Sequence, residues 1–111
     1  MKAGIKIEYS ADFGVKERRT KNAEEIEHLR HAQKVTGEAM TFACRLVANA
    51  TPDGEGVLHH EGSALTSERV RAMITACLVE RNFSNAHDSI VVTVPHVADC
   101  HHFGKGLLKA N

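Results

Sequence analysis

Net charge is the first thing this sequence lacks. Lys plus Arg and Asp plus Glu number 14 each. A neutral chain has no long-range attraction for nucleic acid or for an anionic membrane surface, so neither is expected as a partner. Neutrality also gives little colloidal protection, which leaves self-association open. A basic run does exist at Lys16, Arg18, Arg19 and Lys21, but no aromatic residues interleave with it to stack on bases. It reads as a solvated connector before a helix. Cysteine pairs are missing too. Cys44, Cys77 and Cys100 form no CxxC, their number is odd, and no apolar leader precedes them. That pattern argues for a reducing, cytoplasmic setting. No apolar run approaches the roughly 18 residues a membrane helix requires. There is no internal repeat and no low-complexity segment.

What is present suits one folded domain. The chain has 111 residues, 42% hydrophobic and 25% charged. Those values exclude a disordered polymer. A domain of this size buries roughly two thirds of its unfolded-chain surface. Eight histidines make the charge turn positive on mild acidification.

The elements follow from periodicity. Ile5, Ile7 and Tyr9 alternate with Lys6 and Glu8, so Met1 to Gly14 reads as a short strand and a turn. Asn22 and Glu25 form a capping-box signature that opens a long helix over residues 22–48. Its apolar stripe is Ile26, Leu29, Val35, Ala39, Phe42, Ala43 and Leu46. Gly37 interrupts that helix, and close approach of another element is the simplest reason for a glycine there. Thr51-Pro52-Asp53-Gly54 signals a turn. Val57 to Ala64, which holds His59, His60 and Glu61, reads either as an irregular lead-in or as a helical turn. A second helix spans 67–81, with Thr66 as cap and Leu65 and Val70 as a hydrophobic staple. Ser89 to Val94 is β-branched and apolar on both faces, which predicts a central, covered strand closed by Pro95. The class is α+β, with helices against a small sheet. Cys44 and Cys77 fall on the apolar stripes and read as buried small hydrophobes.

The segment from Pro95 to Gly106 concentrates chemistry: His96, Asp99, Cys100, His101 and His102 leave the end of the expected strand. From the residues alone the readings stay open. His96, Cys100 and His101 or His102 are zinc-binding types, at a spacing that fits no standard pattern. Cys100 and His101 are a nucleophile and a base, but neighbours on an extended segment point to opposite faces. A lone histidine can polarise a substrate beside a metal held elsewhere. A plain polar loop requires none of these. His59-His60-Glu61 has the same ambiguity, and a solvated loop is the simpler reading. Lys105 lies between two glycines, but a single Gly-x-Gly does not specify a phosphate site.

Two stretches carry a resemblance. One is Arg18-Arg19-Thr20-Lys21-Asn22-Ala23-Glu24-Glu25-Ile26-Glu27-His28-Leu29-Arg30-His31-Ala32. The other is Ser89-Ile90-Val91-Val92 through Ala98-Asp99-Cys100-His101-His102-Phe103-Gly104-Lys105-Gly106. In that order, with Leu65-Thr66-Ser67-Glu68 between them, they resemble the opening of a pita-bread metallopeptidase domain, the family of Xaa-Pro aminopeptidases, prolidase and creatinase. The resemblance runs from about Arg18 to Asn111. It implies a partial pita-bread fold over residues 16–111, with residues 1–15 a remnant of a preceding domain or linker. It places the family's first active-site histidine on His101, a catalytic and substrate-binding group that stabilises developing negative charge. His102 matches an adjoining substrate-side position, and Cys100 stands where the family often has Pro or Leu.

The family's two divalent ions (manganese, cobalt or zinc) are held by two aspartates, a histidine and two glutamates. No residue here matches any of the five, so no metal ligand is assigned in this chain. The expectation is therefore a fragment of an Xaa-Pro peptidase that is inactive alone, because two-metal hydrolysis needs its ions. A peptide would be its substrate only in a completed domain. The alternative is a non-catalytic binding module that forms a homodimer through the exposed sheet edge beside Ser89 to Val94. If the strands missing from such a domain normally cover the tail, the final dozen residues are expected to be mobile or packed against a neighbouring chain.

Overall fold

Asn22 and Glu25 exchange bonds across the first helical turn. The Glu25 amide donates to Asn22 Oδ1 at 2.9 Å, and the Asn22 amide donates to Glu25 Oε2 at 2.8 Å. This is the capping box the sequence signals, and it starts the longest helix of a computed structural model that describes residues 4–94 and 96–110. The elements run α1 (Val15–Arg19), α2 (Ala23–Ala48), β1 (Thr51–Pro52), β2 (Leu58–His60), β3 (Ser63–Ala64) and α3 (Ser67–Val79), with a 3₁₀ turn at His96–Ala98. The class is mixed helix and sheet. The chain divides into two units, Met1–His31 and Ala32–Asn111.

In the first unit, residues 4–10 hold no regular structure, so the strand expected there is absent; Met1 to Ala3 lie outside the described residues. The basic run is not wholly a connector, since Lys16, Arg18 and Arg19 belong to α1.

In the second unit the sheet is antiparallel in the order β1-β2-β3. Asp53 shapes the first hairpin. Its Oδ1 accepts the amides of Glu55 and Val57, each at 2.9 Å. The second hairpin turns on Glu61 and Gly62, both left-handed at φ 51° and 74°. Two central residues at positive φ make the tight connection that fits strand twist. The sequence hid this hairpin because Glu61 stands where Asn or Asp usually marks such a turn, and Val57 to Ala64 therefore holds a hairpin where a lead-in or helical turn was expected.

Helix α3 begins and ends by recognisable devices. Thr66 accepts the Arg69 amide at 3.1 Å, and Leu65 and Val70 are 0% and 1% exposed in one cluster. At the other end the Phe83 amide reaches Leu78 O and the Asn82 amide reaches Val79 O, with Asn82 left-handed at φ 59°. That pattern is a Schellman ending, closed by Phe83 packing on the cluster that holds Leu78. The helix thus stops at Val79 and turns, two residues earlier than expected.

The strand expected at Ser89 to Val94 does not form. Among the described residues its one backbone bond outside local turns runs from the Val91 amide to Phe103 O, at 3.2 Å. Ile90 is 54% exposed, so the run is not covered on both faces. β-branched residues favour a strand only where a neighbour supplies a ladder. The short strands here bond to one another and to the chain's last segment, so this run is no sheet edge. The closing role given to Pro95 lies outside the described residues.

That last segment is the main correction. Lys109 bridges Val57 and Leu107 bridges Thr66, both antiparallel. Leu108 is 3% exposed in the cluster of Leu46, Leu58, Leu65 and Val70. Residues 106–110 therefore pack on their own chain. A smaller cluster joins Val35 and Ala39 of α2 to Leu78 of α3. Cys77 is half-buried beside it, whereas Cys44 is exposed, contrary to the buried position its stripe implied. Among the described residues no helix is long and apolar enough to cross a membrane.

Two glycines separate strain from slack. At Gly104 φ is +83°, and a β-carbon would overlap the carbonyl oxygen of Val91. At Gly37 nothing lies within 4 Å of the same position, so the close approach inferred for it is not there. Gly37→Ala should stabilise the protein by about 0.5–1 kcal/mol through helix propensity. Gly104→Ala should destabilise it by roughly 2 kcal/mol or more, because backbone must move. Urea unfolding of both variants checks the pair; equal midpoints would contradict the assignment.

Candidate functional site

The histidine loop is a chain of local turns docked at one end. Asp99 donates its amide to His96 O at 3.0 Å, and the His102 amide returns to Asp99 O at 3.1 Å. The Asp99 carboxylate accepts the His101 amide at 2.9 Å, an Asx turn that fixes the backbone just before the imidazole. Beyond it, Arg71 of α3 donates to Phe103 O at 2.6 Å and to Gly104 O at 2.7 Å. The Gly106 amide donates to both carboxylate oxygens of Glu68 at 3.1 Å. Glu68 sits in the first turn of α3. Its own backbone N–H and then that of Gly106 hold its carboxyl below the usual range.

His101 and His102 are handled differently by this frame. His101 is exposed, and its bond in the loop is made by its backbone, not its ring. His102 is half-buried. Its ring stacks on that of His96, with centroids 4.2 Å apart and planes 2° from parallel. Its Nδ1 accepts the Gly104 amide at 2.9 Å, so in this geometry that nitrogen carries no proton. The His102 ring is thus engaged within the loop, and the His101 side chain is exposed.

The arrangement also bears on the metal and nucleophile readings. An imidazole presents its lone pair in the ring plane, so two rings stacked face to face cannot both aim at one ion. Among the described residues no group of three or more His, Cys, Asp or Glu could hold a metal. The described residues thus do not fit a zinc ion at His96, Cys100 and His101 or His102. Cys100 is exposed, and no bond joins it to His101.

The other histidine pair lies on β2, where neighbours face opposite ways. His59 Nε2 lies 3.0 Å from Asp53 Oδ2, and His60 Nε2 lies 3.8 Å from the Glu61 carboxylate. The Glu55 amide, then His59, then the Val57 amide hold the Asp53 carboxyl below its ordinary value. The pair is a hairpin brace rather than a catalytic dyad.

Sequence reasoning did not mark Arg71, and it gave no positioning role to Glu68 or Asp99, although it named both. The Asp99-x-His101 spacing was a usable signal, since aspartate commonly accepts an amide two residues on. Arg71 and Glu68 act across more than thirty residues, and no local pattern marks such clamps. No family model, curated protein or solved structure matches the chain.

The lowered Asp53 carboxyl fixes a sign. Its folded-state value lies below its unfolded one, so its contribution is complete above about pH 4 and fades as pH falls through the folded value. Asp53→Asn should be less stable than the parent at neutral pH, and the gap should close in acid. Unfolding midpoints measured from pH 7 down to pH 2.5 check this; an unchanged gap would remove Asp53 from the account.

Proposed function

We propose that this chain carries the substrate-side histidine of a pita-bread, Xaa-Pro-type metallopeptidase domain. His101 is the hydrogen-bond donor, and the chain by itself is catalytically silent. The reading rests first on the ordered motifs around Arg18 to Ala32 and Ser89 to Gly106. The observation that carries it is the contrast between backbone and ring at His101. Its main chain is tied by Asp99, and the loop beyond is tied by Arg71 and Glu68, while the imidazole faces solvent. A group held this way can meet a carbonyl or carboxylate oxygen with little further ordering cost.

The chemistry assigned to this chain is limited. His101 can donate to an oxygen whose negative charge grows as a peptide carbonyl is attacked. His102, stacked on His96, supports the loop that presents its neighbour. Activation of water is not assigned to this chain, and no step is routed through a metal.

The test has two arms. The purified chain should give no turnover of Xaa-Pro dipeptides with added manganese, cobalt or zinc; turnover would show that the ligands assigned elsewhere are not required. In the second arm, a Gly-Pro dipeptide titrated into the chain should shift the His101 ring resonances by NMR. His101→Ala should abolish binding, while shifts confined to His59 or His60 would reject His101.

A further inference from the structure

Residues 4–9 have the pattern of a strand and none of its bonds. Ile5, Ile7 and Tyr9 are 80%, 91% and 93% exposed. Lys6 and Glu8, the residues between them, form an ion pair with each other. Among the described residues no backbone hydrogen bond reaches Gly4 to Tyr9. Two β-branched residues and a tyrosine at period two favour a pleated conformation. Unpaired amides and carbonyls along such a segment are a template for another strand.

We propose that this segment pairs antiparallel with the same segment of a second copy, about a two-fold axis at Ile7. The charges select both the partner and the register. With Ile7 opposite its own copy, Lys6 faces Glu8 of the second chain and Glu8 faces its Lys6, while Ile5 faces Tyr9. Sliding two residues one way sets Lys6 against Lys6; sliding the other way sets Glu8 against Glu8. A parallel in-register pairing sets every like charge against its twin. A one-residue slip turns the apolar side chains to the opposite face. Opposite charges directly across strands attract and like charges repel, so one register stands apart. The contact is isologous, which closes a dimer rather than propagating a fibre. Six apolar side chains then share one face of the ribbon, and Ile26 and Leu29, themselves exposed in the same 1–31 unit, offer an apolar stripe for it. This pairing is independent of the role given to His101.

Sedimentation equilibrium of the full chain over a wide concentration range tests the proposal. The parent chain should show a monomer–dimer equilibrium. Lys6→Glu and Glu8→Lys should each weaken the dimer about tenfold, since two attractive pairs become two repulsive ones. An equimolar mixture of the two variants restores opposite charges at both positions and should recover the dimer. Lys109→Glu, an equal charge change outside the segment, should leave it intact. Ile7→Pro should abolish it by removing an amide donor. A parent chain that stays monomeric throughout overturns the proposal. So does Lys6→Glu dimerising as tightly as the parent, or a mixture that fails to recover, or Lys109→Glu weakening the dimer as much as Lys6→Glu.

Discussion

Leu108 sits between two strands that would otherwise have little to hold them. Its carbonyl accepts the Leu58 amide at 2.9 Å, and its own amide donates to Leu65 O at 3.0 Å. Its side chain lies in the cluster of Leu46, Leu58, Leu65 and Val70. β1, β2 and β3 hold two or three residues each, and a ribbon that short is marginal in water without apolar cover. The segment around Leu108 supplies backbone partners and cover together. It also joins one end of the histidine loop to the core. Gly104 can lie against Val91 only because it has no side chain, and Gly106 is seated on Glu68 at the start of α3.

The histidine loop takes its form from this docking. Arg71 and Glu68 hold the stretch from Phe103 to Gly106, and Asp99 folds the stretch before it. Between the two anchors His102 is drawn inward to stack on His96, and His101 is left outside. Two adjacent residues of the same type thus differ in exposure and in the contacts of their rings.

The two long helices, α2 and α3, were legible in the sequence because their signals are local. The Asn22–Glu25 capping box, the Thr66 cap and the Leu65–Val70 staple each act within a turn or two. The sheet was not legible, for the converse reason. Ser89 to Val94 had the strongest strand composition and found no ladder. The dull Leu58-His59-His60 found one because Asp53 folds a hairpin onto it and Leu108 arrives from far along the chain. Strand propensity describes what a segment tolerates, whereas pairing depends on what is beside it. The candidate site divides in the same way. His101 and His102 were marked by a resemblance, but what distinguishes them was not legible, since it rests on the ring stack with His96 and on the Gly104 amide, which no sequence spacing announces.

The closure around Leu108 also sets an order of events in folding. Helices and tight hairpins form from contacts a few residues apart, on fast timescales. The Leu58–Leu108 contact instead closes a loop of roughly fifty residues, whose entropy must be lost before any bond rewards it. Until then Leu46, Leu58, Leu65 and Val70 form a patch with one side open to water. A transient apolar surface beside unpaired strand edges is the usual starting point of aggregation. The segment that completes the native core is therefore also the one whose late arrival leaves the chain most vulnerable while it folds.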